Sequence, residues 1–220
     1  MEVEMVREAL NESAMNATLR GSYWRVSVFQ SVTSTQTELI GKENLQHGDV
    51  YVTEFQSAGR GRLDRTFEAT ESSALLFSIY LEPKRSKLEW SVIPLLAGLS
   101  LVNALKSLDA KVVTNLKWPN DLLIETKPAE FRKIGGILVQ RQDEFVVIGI
   151  GINVDLKLEE LPTDNATSLS ILNIEASREA LIATLLVELE KATKLSSDEW
   201  LPLYAKHSST IGTHVCVTRK

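Results

Sequence analysis

Apolar residues recur along this chain at two periods, and the periods separate strands from helices. Trp24 to Gln30 alternates apolar and polar positions, the pattern of a half-buried strand. Val50–Phe55 and the almost wholly apolar Ala74–Leu81 read as two further strands. Shorter strands are predicted at Val112–Trp118, Leu122–Glu125, Ile134–Gln140 and Phe145–Val154. The polar tetrad Arg141-Gln142-Asp143-Glu144 reads as a hairpin turn between the last two.

Helical spacing is strongest from Ser86 to Leu108, where Leu88, Val92, Leu95, Leu96, Leu99, Val102, Leu105 and Leu108 recur on one stripe. Pro94 inside it predicts a kink, or a helix that begins there. Glu175–Leu195 is amphipathic, and Asp198–His207 is a short helix interrupted by Pro202. Ser34 or Thr35 is placed to cap a helix running to about Asn44, with Glu38 as the capping-box partner of Thr35. Residues 2–19 carry only the loose stripe Met5, Ala9, Met15 and Leu19, which predicts a peripheral helix or tail. Residues 155–173 read as irregular. Strands and helices mixed in this way predict an α/β (α+β) fold.

Composition narrows the class without naming a chemistry. The 220 residues are 44% hydrophobic and 24% charged, ordinary for a globular domain. A net charge of −5 argues against a general nucleic-acid binder, whose footprint is basic. The single cysteine, Cys216, excludes an internal disulfide and fits a reducing compartment. No apolar run is expected to reach the length of a membrane span, and the acidic N-terminus lacks a signal-peptide pattern. The expectation is a cytoplasmic protein with no nucleic-acid or membrane partner. The three histidines are scattered, and no metal-ligand spacing is present.

The chemistry gathers in one segment, Gln56-Ser57-Ala58-Gly59-Arg60-Gly61-Arg62-Leu63-Asp64-Arg65, between two predicted strands. Glycine lets a backbone approach a ligand, and arginine offers a planar donor fork that fits phosphate and carboxylate. Alone, the segment is equally a solvated basic turn. Four other blocks change the balance: Ser34-Thr35-Gln36 upstream, then Lys117-Trp118-Pro119-Asn120-Asp121, Lys133-Ile134-Gly135-Gly136-Ile137-Leu138, and Gly149-Ile150-Gly151-Ile152-Asn153.

These five ordered blocks resemble the biotin protein ligases, over roughly residues 25 to 215. The resemblance implies a mixed sheet like that of class II aminoacyl-tRNA synthetases, with helices packed on one side. It implies a catalytic domain over residues 23–208, a helical extension over 1–22, and at 209–220 the start of a truncated, SH3-like C-terminal β-barrel. It implies the monofunctional type, without a DNA-binding domain. The implied activity uses biotin and MgATP to make biotinyl-5′-AMP, then biotinylates one lysine of a biotin carboxyl carrier domain of a carboxylase. A homodimer is left open.

Residue by residue, the resemblance makes Lys133 and Arg62 catalytic. Biotin or its adenylate falls to Ser34, Thr35, Gln36, Gln56, Gly59, Arg60, Gly61, Arg62, Lys133, Gly135 and Gly136. The nucleotide falls to Arg65, Phe67, Lys117, Trp118, Asn120, Asp121 and Asn153, with Trp118 also expected to pack as a core aromatic. Each has a bland counterpart: helix capping for Ser34 and Thr35, a strand bulge for Gly135 and Gly136, an Asx turn for Pro119-Asn120-Asp121. Gln36, Asp64 and Phe67 depart from the family's asparagine, glycine and tryptophan. Two other readings stand beside the ligase: a lipoate ligase or octanoyl transferase, and a non-catalytic biotin sensor.

Overall fold

A computed structural model describes residues 7–63, 65–214 and 216. Seven strands form one open mixed sheet: β1 (Arg25–Val32), β2 (Asp49–Gln56), β3 (Ala74–Leu81), β4 (Thr114–Lys117), β5 (Asp121–Lys127), β6 (Glu130–Arg141) and β7 (Val146–Asn153). Their spatial order is β1-β2-β3-β7-β6-β5-β4. Only β1 and β2 run parallel. A parallel pair needs a crossover, and α2 (Thr35–Gly41) lies within it.

The sheet has two unlike faces. One presents Leu75, Phe77 and Ile79 of β3 beside Ile148, Ile150 and Ile152 of β7 to the main core. Over it lie α1 (Glu12–Thr18), α3 (Ile93–Leu108), α4 (Arg178–Thr193) and α5 (Ser197–His207). The opposite face carries Leu76, Ser78, Gly149 and Gly151, and holds the cleft described below. There Leu39 of α2 packs on Tyr80 and Val147. Strand β3 is therefore buried at all eight positions, which explains its unbroken apolar run.

Several boundaries differ from the sequence pattern for local reasons. The stretch from Ser86 is a 3-10 turn, Lys87–Val92, and the α-helix starts only at Ile93, with Pro94 in its first turn where no N–H is missed. Leu88, in the turn, is 91% exposed rather than part of the stripe. The continuous helical stretch Lys87–Leu108 does reach spanning length and apolarity, contrary to expectation, but α3 is buried against α4 and the sheet. Pro202 does not interrupt α5. The capping box at Thr35 does not form: Glu38 accepts from Thr33 Oγ1 at 3.1 Å, because the Thr35 hydroxyl is engaged elsewhere.

The N-terminal segment is not peripheral. Residues 7–11 are non-helical, and Leu10, Met15 and Leu19 enter the main core. Leu10 N donates to Glu54 Oε1 at 2.5 Å, and Glu54 pairs at 2.6 Å with Arg178, both side chains buried. Asn16 takes both hydrogen bonds of Val26 on edge strand β1, occupying part of that edge. At the other terminus, Ser208 bridges to Leu116 and Thr210 Oγ1 accepts from Trp118 N. Residues 1–6, Val215 and 217–220, parts of the expected extension and C-terminal module, lie outside the described residues.

Candidate active site

The cleft has a volume of about 310 Å³ on the glycine-bearing face of the sheet. It brings together fifteen of the eighteen predicted site residues: Ser34, Thr35, Gln36, Gln56, Arg60, Gly61, Arg62, Arg65, Phe67, Lys117, Trp118, Asn120, Asp121, Lys133 and Gly136. Five of these are cationic, against one carboxylate, Asp121. So concentrated a positive lining suits an anionic ligand. Asp64 lies outside the described residues.

One end of the cleft is set by α2. Thr35 donates its N–H to Gln56 Oε1 at 2.8 Å, and its hydroxyl lies 2.8 Å from Ser78 Oγ. Both amide hydrogens of Gln36 are committed, to Leu138 O at 3.0 Å and Val147 O at 3.2 Å. Gln36 Oε1 lies 3.1 Å from where a Cβ on Gly149 would stand, so glycine there leaves room for it. Among the described residues, Gln36 Oε1 and Gln56 Nε2 take no part in these bonds, and they are the acceptor and donor that a small polar ring would meet. Ser78 was not anticipated; a lone polar residue in the run Ala74–Leu81 was the available signal.

The other end is Phe67. A Cβ on Gly151 would lie 2.5 to 2.8 Å from three ring carbons of Phe67, so the ring rests on bare backbone. Leu76 and Leu156 pack beside it. Gly149 and Gly151 are two positions apart on one face of β7, about 7 Å at strand rise. The strand thus spaces the two ends.

Lys133 stands nearer the Phe67 end, since Gly136 beside its Nζ pairs with Gly151, and it is held from three sides. Its Nζ is 2.6 Å from Asp121 Oδ1 and 3.6 Å from where a Cβ on Gly136 would stand, an ordinary contact distance. Past the last β6–β7 pair, its N–H donates to Asn165 O at 2.8 Å and its carbonyl accepts from Thr167 N at 2.9 Å. The register slips here, since Leu122 pairs with Gly135 while Leu123 pairs with Lys133. Ile134 is the extra residue and turns into the core. The bulge and the functional reading therefore hold together, since bulges re-aim side chains beside active sites. Asn120 ties the turn to β6 by bonds to both polar groups of Ile137.

The arginine loop forms a narrow ribbon. Gly61 N donates to Arg65 O at 2.7 Å and Phe67 N to Gly59 O at 3.0 Å. A Cβ on Gly59 would sit 2.2 Å from Phe67 O, so only glycine permits the closure. Arg60 reaches across to Gln140 at 3.2 Å.

Four expectations change. Trp118 is 61% exposed, not core, because β4 ends at Lys117 and the chain turns outward at the cleft mouth. Asn153 does not line the cleft; it is buried and donates to Thr167 O at 2.9 Å, fixing the segment that holds Lys133. Gly135 and Gly59 also stay out of the lining. Gly135 serves the close approach of β6 to β7, where a Cβ would stand 2.6 Å from Gly151 O. Among the described residues no cluster of three His, Cys, Asp or Glu could hold a metal ion.

Comparison with known proteins identifies the family. The model of the biotin/lipoate A/B protein ligase family matches residues 26–156. The chain is 33% identical to the biotin–[acetyl-CoA-carboxylase] ligase of Mycobacterium tuberculosis, over 97% of this chain and 83% of that protein. It is 36% identical to the bifunctional ligase/repressor BirA of Bacillus spizizenii, over 65% of this chain but only 44% of that one. Among solved structures, the biotin protein ligase of Aquifex aeolicus in complex with biotin and ATP superposes with a TM-score of 0.73 at 29% identity, over 84% of this chain and 78% of the other.

Proposed function

The chain belongs to the biotin/lipoate A/B protein ligase family, and from that premise we propose that it is an ATP-dependent biotin protein ligase. A carboxylate is a poor acyl donor at neutral pH. Joining it to AMP, with loss of pyrophosphate, makes it reactive. The enzyme has to bring two anions together, the carboxylate of biotin and the α-phosphate of ATP, and hold them in line.

The observation that carries this reading is Lys133, an ammonium held in the cleft by Asp121 at 2.6 Å. Its charge offsets the approach of the two anions and the charge developing as the bond forms. The end at Thr35, Gln36 and Gln56 suits the ureido ring of biotin, which has two N–H donors and one carbonyl. Phe67 suits the adenine ring, as an aromatic wall. Arg60, Arg62 and Arg65 face the phosphates, and each charge-assisted bond is worth roughly 1.5–3 kcal/mol. Magnesium comes as part of the MgATP substrate. In the second step the ε-amine of a carrier-domain lysine attacks the acyl carbon and AMP leaves. The carrier, a biotin carboxyl carrier domain, and a cytoplasmic location belong to the same proposal.

The test is pyrophosphate release from MgATP, measured with biotin, with lipoate and with neither. Release that depends on biotin is expected. Release with lipoate alone would overturn the biotin assignment. Tight binding of biotin without any release would make the protein a sensor.

A further inference from the structure

Behind the Phe67 end, one guanidinium joins two segments distant in sequence. Arg7 Nη1 donates to Thr70 Oγ1 and Glu71 O, each at 3.2 Å. Its Nη2 donates to Asp155 O at 2.7 Å and Glu160 Oε2 at 2.5 Å. The Thr70 hydroxyl donates to Glu160 Oε1 at 2.9 Å, and Lys157 N donates to Glu160 Oε2 at 2.7 Å. The first segment leads back to Phe67 and Ala69. The second carries Leu156 and Leu161. Phe67, Ala69 and Leu161 all pack against one small cluster made by Ala74, Leu76 and Leu156.

Arg7 arrives from a fixed base. Its neighbour Glu8 gives its carbonyl to buried Arg178, and Leu10 N is bound by Glu54. A planar fork with five donors can span both segments at once, which a lysine ammonium cannot match. We propose that Arg7 is a positioning residue for the nucleotide half of the cleft: it clamps residues 70–71 to residues 155–160 and so holds the seat of Phe67. It touches no substrate. The inference rests on the ligase reading, in which Phe67 faces the adenine.

The experiment compares Arg7→Ala, Arg7→Lys and Glu160→Ala with the unaltered chain, in steady-state adenylation and by calorimetric titration with biotin alone. Arg7→Ala is expected to raise KM for ATP about 3- to 10-fold, the scale of a disturbed aromatic stack. Biotin affinity and kcat at saturating ATP stay within about twofold, since the Gln36 end is built from other segments. Glu160→Ala cuts the clamp from its other side and should give the same split; Arg7→Lys should fall between. A lowered melting temperature with KM for ATP unchanged, or with KM for ATP and biotin affinity weakened equally, would overturn the proposal and make Arg7 a brace of the fold. If Arg7→Ala does not fold, Glu160→Ala decides by the same comparison of KM for ATP with biotin affinity. Absence of pyrophosphate release by the unaltered chain would instead refute the ligase reading itself, a result distinct from an active enzyme with no split.

Discussion

Replacing Gly151 by alanine separates the two ends of the cleft most sharply. The added Cβ would lie 2.5, 2.7 and 2.8 Å from three carbons of the Phe67 ring. Carbon pairs rest at about 3.5–4.0 Å, so the ring has to retreat by about 1 Å or swing aside. The backbone of Phe67 is pinned to Gly59, which leaves side-chain rotation as the cheaper relief. The fold should tolerate this. Alanine in a strand is favoured over glycine by roughly 0.5–1 kcal/mol, which offsets part of the lost ring packing. The nucleotide should not tolerate it. An aromatic stack is worth about 0.5–1.5 kcal/mol, so ATP affinity should fall about 2- to 12-fold. Biotin affinity should hold, because Gly149 and Gln36 are untouched. Gly149→Ala is the mirror case, since its Cβ meets Gln36 at 3.1 Å, and should weaken biotin and spare ATP. Calorimetric titration of each ligand separately, with melting temperatures alongside, is the assay. Loss of biotin binding in Gly151→Ala with ATP binding intact would refute the assignment of the two ends.

Lys133→Ala should abolish biotin-dependent pyrophosphate release with little change in melting temperature, because this half-exposed side chain adds charge and little packing; turnover at the unaltered rate would remove Lys133 from the chemistry. Arg62→Gly should release biotinyl-AMP faster than it impairs its formation, so that bystander albumin is biotinylated without a carrier. Streptavidin blots no darker than those of the unaltered chain would show that the ribbon does not retain the intermediate. Burial alone would raise the Glu160 pKa, but Arg7, the Lys157 N–H and the Thr70 hydroxyl outweigh it and hold the carboxyl at about 2, down from 4.5. A depressed folded-state value contributes stability above about pH 4.5 that is lost as pH falls towards 2. Melting temperature should therefore drop more steeply over that window in the unaltered chain than in Glu160→Gln, and parallel curves would contradict the clamp.

Much of the cleft was legible in the sequence because its chemistry is local. The glycines of β6 and β7, the arginine ribbon and the Lys117–Asp121 turn are each written within a few adjacent residues. Ala74–Leu81 was bounded correctly because a strand covered on both faces has no polar positions to blur its ends. What was misread depended on distant partners. Thr35 carries a capping signature, yet its hydroxyl finds Ser78 on another strand. Asn153 ends a glycine-rich strand and looks like a ligand group, until Thr167 claims its amide. Trp118 reads as core from its type, but its strand stops one residue earlier. Arg7 gave no signal, because its four partners lie 63 to 153 residues away.

Transfer of biotin to a carrier lysine through an acyl-adenylate is the activity proposed for this chain. Mass spectrometry of a biotin carboxyl carrier domain, incubated with the protein, MgATP and either biotin or lipoate, tests it most directly. The expected result is a shift of one biotinyl group, only with biotin and ATP together, and none when the acceptor lysine of the carrier is replaced. A lipoyl shift, or an unmodified carrier beside a protein that binds biotin tightly, would contradict it.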